Sequence, residues 1–416
     1  MSDYEKDQQK LLINFLTRSA DIIDSESADY FLDSIEENKL TDEERDYIQE
    51  RGYIFSSKDQ ESKILRELYD NELKNSAPLY AVHLGTFSIE QLRLHEILKS
   101  INEMERKRNE KLRSELILYS ENSLDQSLII QELEEFVKDC NSLNLIAKLI
   151  TTQENLSFFQ SLFTKGLVAD IILICPLSKF RNSILFPDDT EGFLDQLVEH
   201  GKNVTIDVRL TREDVKNLKP LMNYFIYKGW PFLENFECRL EPADNEACIF
   251  GYWYSADMEL SREIFEIFRA YPQTEFCSME KWIGINNVHA LIWKGRALSP
   301  SFHFCGASKG LVVFTGDGNI FPCLKLAETK NEAFLRNKAK FEDFQQRNGM
   351  MFSDCQGCRY ILSCGGGCSY KAFIQNNGRV CCPPIKDLIE VSLETYFDEL
   401  LEKSKFLEQY QRGIQP

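Results

Sequence analysis

The sequence predicts an α/β protein in which parallel βα units lie between a helical N-terminal region and a cysteine-rich C-terminal segment. Three observations predict it. From about residue 78 to 300, runs of branched apolar residues alternate with amphipathic stretches at helical spacing. Residues 1–77 are polar, with apolar positions at helical spacing. Near the C-terminus, CQGCRYILSCGGGC sets Cys355, Cys358, Cys364 and Cys368 at the spacing C-x2-C-x5-C-x3-C.

In order along the chain, residues 8–23 and 28–37 carry helical spacing. Residues 41–52 are a helix with both ends marked, because Thr41 with Glu44 makes a capping-box signature and Gly52 suits the C-terminal end. Residues 53–73 read as a short strand and another helix. Strands then fall on LYAVHLG, SELILYS, LIAKLITT, ADIILICPL and NVTIDVRL, each followed by an amphipathic helix, the last being DVKNLKPLMNYFIYKG. This alternation indicates parallel βα units, and both a partial (β/α)6 barrel and a doubly wound open sheet fit it. From Ile385 a long amphipathic helix closes the chain.

Composition narrows the function. With 416 residues, 43% of them hydrophobic, the chain is long enough for more than one domain. Its 66 acidic against 48 basic residues leave a net charge of −18, which argues against nucleic acid, since phosphate binding needs clustered Lys and Arg. A basic peptide suits such a surface, whose ordinary use is solubility. The N-terminus, MSDYEKDQQK, lacks the apolar stretch of a signal peptide, and no run approaches the roughly 20 apolar residues that cross a bilayer. A cytoplasmic protein without membrane partners is expected, in a compartment that keeps thiols reduced.

Four thiols within fourteen residues mean metal. Iron–sulfur clusters and zinc both take thiolates held close by loops, and Gly365, Gly366 and Gly367 let the backbone fold tightly between two of them. More cysteines flank the run. Cys305 opens FCGASKGLVVFTGDGNIFPC, which ends on Cys323, and Cys381 and Cys382 follow, stiffened by Pro383 and Pro384. Residues 314–323 read as a hairpin turning on Gly-Asp-Gly, which would carry Cys323 back toward Cys305. Ordinary buried thiols do not arrive at such spacing, and disulfides do not suit this compartment.

The whole pattern resembles the SPASM domain, the C-terminal module of many radical S-adenosylmethionine enzymes that modify ribosomally made peptides. The resemblance covers about residues 301–385 and implies two [4Fe–4S] clusters. Carried over by position, Cys305, Cys323 and Cys368 hold the first cluster, and Cys355, Cys358, Cys364 and either Cys381 or Cys382 hold the second. Some members add a cysteine soon after the one matching Cys305; none stands in GASKGLVVF, so the first cluster has an open iron or a ligand other than cysteine. His303, two residues before Cys305, is one such candidate, with a packing or surface role as the plainer reading. The resemblance also favours the partial barrel, giving a helical region over 1–77, a degenerate TIM-like (β/α)6 barrel over 78–300, the SPASM domain over 301–385 and a helix over 386–416. Some maturases carry a winged-helix peptide-binding domain before the barrel, but the strand signal here is too thin to assign one.

Two departures matter as much. Radical S-adenosylmethionine enzymes carry C-x3-C-x2-C after the first barrel strand, whereas here LYAVHLG runs into FSIEQLRLHEI without a cysteine. The remaining cysteines, Cys140, Cys175, Cys238, Cys248 and Cys277, are scattered and read as core residues. Where the family ends its second strand in a GGE-type motif, this chain has Tyr119, Ser120 and Glu121, with Ser123 in place of a common proline. Arg181 falls near a basic position of the family after the fourth strand, and also reads as a surface arginine. The five histidines form no metal-spaced pair, and there is no phosphate-binding glycine loop, G-x-S-x-G or H-E-x-x-H.

The resemblance, with these departures, implies a pseudo-radical S-adenosylmethionine protein with two [4Fe–4S] clusters and no bound S-adenosylmethionine. It is expected to bind a ribosomal precursor peptide, in a groove at the barrel's open edge, or an active radical maturase. Two alternatives are a redox or substrate-binding iron–sulfur enzyme using the open iron, and a zinc-stabilised binding module.

Overall fold

The computed structural model describes residues 5–242 and 302–380, except 7, 15, 18, 37–38, 86–92, 108–111, 122–129, 181–185, 187, 336, 357 and 359, together with the isolated positions 266, 393–394, 397–398 and 401–402. The helix expected from Ile385 lies almost wholly outside these residues; its six described positions are helical.

The N-terminal region opens with strands β1 (Glu5–Lys6), β2 (Gln9–Asn14) and β3 (Ser19–Asp24), paired antiparallel in that order. Helices α1 (Ser25–Glu36), α2 (Asp42–Glu50) and α3 (Lys58–Lys74) follow. The helix expected over 8–23 is therefore corrected to strands, and Asn14 supplies the reason. Its side-chain carbonyl accepts the N–H of Leu16 at 2.9 Å, a local turn that competes with helical bonding. The Asn14 amide and the Thr17 hydroxyl both donate to the carbonyl of Gly52, at 2.9 and 2.8 Å, which fixes the turn against the end of α2. The predicted capping box is present: Glu44 N–H donates to the Thr41 hydroxyl at 3.3 Å and Thr41 N–H to the Glu44 carboxylate at 2.9 Å. At the start of the segment read as a short strand, residues 53–54 form a bend and residue 55 is irregular.

The centre is a parallel sheet of β4 (Leu79–His83), β5 (Glu115–Ser120), β6 (Ile146–Thr152), β7 (Asp170–Pro176), β8 (Asn203–Leu210) and β9 (Phe236–Pro242). Helices α4 (Leu94–Arg106), α5 (Ile130–Ser142), α6 (Gln153–Thr164), α7 (Asp188–Glu199) and α8 (Leu218–Lys228) connect them. Strand neighbours follow chain order, and α4 through α7 pack consecutively side by side. A doubly wound sheet reverses its order at a switch point, so this sheet is wound one way, with its helices on one face. The helix face buries Tyr80, Val82, Leu84, Leu116, Leu118 and Leu149 in the main core. By the two-residue period of a strand, Ala81 and His83, with Ile117 and Tyr119, lie on the opposite face.

The C-terminal segment is built onto this sheet. Strand β10 (Val312–Thr315) runs parallel to β4, with Val312 opposite Tyr80, and β11 (Ile320–Phe321) returns antiparallel, completing the expected hairpin. Eight strands result, in the order β11-β10-β4-β5-β6-β7-β8-β9. Helices α9 (Leu324–Glu328), α10 (Lys338–Gln346) and α11 (Ser369–Gln375) follow. A second core, with Val313, Phe321, Leu326 and Phe344, packs on Ala81 at the face opposite the helices.

At the β9 end, Trp230 is buried among the rings of Phe186, Tyr224, Phe225 and Phe236, with centroids 5.4–6.3 Å away, and its indole N–H donates to Asp195 at 2.7 Å. Trp230→Ala is expected to cost about 3–5 kcal/mol in urea unfolding. Tyr227→Ala, at a side chain 87% exposed, is expected to change stability by no more than about 0.5 kcal/mol.

Candidate functional site

Three of the expected thiols come from three separate chain segments, each at the start of a helical turn. Cys305 stands at the N-cap position of the 3-10 turn Gly306–Lys309, Cys323 at that of α9 and Cys368 at that of α11. The fold brings them together: Cys323 lies within electrostatic reach of both Cys305 and Cys368. Protein atoms crowd its sulfur although the residue keeps some contact with solvent, and this burial, followed by the two neighbouring thiols, pushes the Cys323 thiol up to about 12. The backbone N–H groups of Leu326 and Lys325 oppose the rise, as helix starts do for a thiolate.

Among the described residues, no three of His, Cys, Asp and Glu are gathered as one metal ion requires. Thiolates of this kind are the donors that both zinc and iron–sulfur clusters take, and the residues that would supply them are Cys305, Cys323 and Cys368. Of the second set, Cys355 is buried, Cys358 exposed and Cys364 partly buried, in tight turns where Cys358 N–H donates to the Cys355 carbonyl at 3.0 Å and Cys364 N–H to the Tyr360 carbonyl at 2.9 Å. Cys381 and Cys382 lie outside the described residues.

The glycines between Cys364 and Cys368 are a steric requirement. Gly365, Gly366 and Gly367 have φ of +65°, +86° and +77°. A Cβ on Gly365 would strike the backbone of His303 and Phe304, and one on Gly366 would lie 2.7 Å from Gly349 Cα. The cysteine run is thereby pressed against the segment that leads into Cys305.

Helix α3 holds that segment from the other side through Glu72, which the sequence reading did not single out. Its carboxylate accepts from Phe302 N–H at 3.0 Å, faces His303 Nδ1 at 3.4 Å and takes Lys309 Nζ at 2.5 Å. Burial alone would raise the Glu72 carboxyl, but hydrogen bonds from His303 and Lys309, the Lys309 charge and the Phe302 N–H outweigh it and hold the group at about 2. His303 is buried, with its ring stacked on Tyr69 at 5.5 Å. Tyr69 and Glu72 share one face of α3 at i, i+3, which is the sequence signal that marks the pair.

At the C-terminal ends of the strands, the loop that lacks the three cysteines falls at 86–92, outside the described residues. Glu121 accepts the Tyr119 hydroxyl, and Ser120 accepts from the Asn155 amide at 3.0 Å. Ser123, Arg181, His289, Cys248 and Cys277 also lie outside the described residues. Cys140, Cys175 and Cys238 are core residues; burial, aided by Asp139, pushes the Cys140 thiol up to about 12.

No family model matches the chain, and no curated protein matches it. A solved structure, hexahistidine-tagged anSMEcpe with bound AdoMet, is similar at a TM-score of 0.50 and 11% identity, over 82% of this chain and 98% of that one. At that identity the likeness shows the fold alone, an α/β architecture with a mostly parallel eight-stranded sheet.

Gly365→Ala is expected to destabilise the protein by more than the about 1–2 kcal/mol that a left-handed backbone costs an alanine. Gly378→Ala, at φ +81° with open space around it, should cost no more than that strain. Urea unfolding of both variants checks the difference. For Glu72, a carboxyl depressed from 4.5 to about 2 contributes stability above pH 4.5 that disappears as pH falls toward 2. The stability difference between wild type and Glu72→Gln is therefore expected to be full at pH 6 and to shrink steadily below pH 4.5 in denaturant titrations.

Proposed function

We propose that this chain is a degenerate member of the radical S-adenosylmethionine group, a partial (β/α)6 barrel fused to a SPASM domain, which binds peptide or a partner maturase without cleaving S-adenosylmethionine. The meeting of Cys305, Cys323 and Cys368 from three helix starts is the observation that carries the reading. In it these three hold one [4Fe–4S] cluster, and Cys355, Cys358, Cys364 and Cys381 or Cys382 hold the other. Such clusters supply electron transfer, or an iron with a free coordination position. The chain's own residues set the environment: the N–H groups at the start of α9 favour the Cys323 thiolate, and the glycine run keeps the loops close.

Peptide binding draws support from the N-terminal sheet. Strand β3 pairs with β2 on one side and has no strand partner on the other among the described residues. Such an edge accepts an extended peptide as a further strand through main-chain hydrogen bonds, and among the described residues β9 leaves a second open edge on the central sheet. The −18 charge favours a basic guest. A second reading, an enzyme that binds substrate at an open iron, rests on Cys305 and Cys368 lying within electrostatic reach of Cys323.

Iron, acid-labile sulfide and zinc content of protein purified without oxygen tests the proposal. About eight irons per chain with matching sulfide are expected for two [4Fe–4S] clusters. Zinc without sulfide overturns the cluster assignment, and peptide modification by a partner maturase that persists after both clusters are lost overturns the auxiliary role.

A further inference from the structure

The sheet carries a second polar site, at the C-terminal ends of its strands, where parallel sheets place ligands. His83 ends β4 there, 1% exposed, and among the described residues neither ring nitrogen has a hydrogen-bond partner. A neutral imidazole has one donor and one acceptor, and buried polar groups left unpaired are rare enough to need an explanation. Burial pushes the ring's pKa below its ordinary value, outweighing the nearby Glu328 carboxylate. Its centroid lies 5.0 Å from that of Tyr119, whose hydroxyl donates to Glu121.

Charge bookkeeping on this face singles out Glu121. Glu328 is paired with Lys325 at 2.9 Å, Asp207 with Arg209 at 2.8 Å, Glu237 with Arg239 at 3.0 Å, and Glu115 and Asp170 with Lys148 at 2.9 and 3.5 Å. Among the described residues Glu121 has the Tyr119 hydroxyl and no cation. Arg209, committed to Asp207, acts on Tyr119 through space alone. Next to Tyr119 in the same cross-strand row come Ile150 and Ile172, both partly exposed. The row therefore offers a carboxylate, an aromatic face and an imidazole acceptor at one end and an apolar shelf beside them.

We infer that the mouth of the sheet binds an alkyl primary amine, such as a lysine side chain, with its ammonium between Glu121 and His83 over the Tyr119 ring and its methylenes along Ile150 and Ile172. The ammonium supplies the charge that Glu121 lacks and donates to the free imidazole nitrogen, while the ring face attracts the cation. The surplus of acidic residues raises the local concentration of such ligands. The inference depends neither on the clusters nor on peptide addition at β3.

Calorimetric titration of the full chain with n-butylamine and Nα-acetyl-lysine amide tests it, with n-butanol and S-adenosylmethionine as controls. Both amines are expected to bind and n-butanol not to; Glu121→Gln should weaken the amines about tenfold or more. The 15N resonances of His83 are expected to move on amine addition in the unaltered protein, a readout independent of how any variant folds. Absence of amine binding, equal binding of n-butanol, unchanged affinity in a folded Glu121→Gln protein, unmoved His83 resonances, or binding of S-adenosylmethionine alone would each overturn the inference.

Discussion

The approach of two stretches of backbone, Gly365–Gly366 against His303–Phe304 and Gly349, is the constraint on which the rest of the C-terminal half depends. Each of the three glycines adopts a left-handed φ, so the chain after Cys364 turns sharply and delivers Cys368 to the start of α11, within reach of Cys323. A side chain there would displace the segment carrying Phe302, His303 and Cys305. That segment is also the one Glu72 grips from α3, and Phe302 shares a small core with Leu16 and Leu362, against which Phe55, Leu65 and Tyr69 pack. The N-terminal region is therefore cemented onto the cysteine loops by apolar contact and fastened by one multiply bonded carboxylate. A disturbance at β2 and β3 has a short physical route to the thiols.

Parallel pairing of β10 with β4 does the corresponding work for the sheet. It covers one flank of β4 while β5 covers the other, so the strand whose end carries His83 is an interior strand with both edges bonded. Interior strands hold their register firmly, because a slip of one residue would turn Ala81 and His83 toward the helices and Tyr80 and Val82 away from them. The same hairpin feeds Cys323 into α9, whose far end places Glu328 near His83. One short helix thus spans the distance between the thiol site and the mouth of the sheet.

Much of the central sheet was legible because β4 through β8 are apolar runs flanked by amphipathic helices. Strand β9 was not, since Glu237, Arg239 and Glu241 alternate with Phe236, Cys238 and Leu240 and suggest an exposed segment. In the fold these charges settle laterally, Arg239 on Glu237 and Glu237 near the Thr205 hydroxyl, which makes the alternation tolerable on a face away from the helices. The N-terminal strands were hidden by Leu11, Leu12, Ile22 and Ile23, whose spacing suits either structure, and Asn14 decided between them through its side-chain bond. Spacing along the chain exposed the cysteines. It did not expose Glu72 with His303, or His83 with Glu121, because those groups are joined by the fold and not by proximity in sequence.

The C-terminal end of β5 is built into the core. Ser120 is fully buried on the helix face and accepts from Asn155, itself buried near the start of α6, so the strand end is anchored to the next helix. Glycine at this place would free the backbone for close approach to a ligand, whereas serine commits it to packing. Tyr119, on the other face, fills the space beside His83 with a ring and presents its hydroxyl to Glu121. The strand ends here thus bring together a carboxylate, a phenol and an imidazole. The chemistry at this end is set by the side chains that the strand ends carry, which is why architecture alone does not carry a function from one such sheet to another.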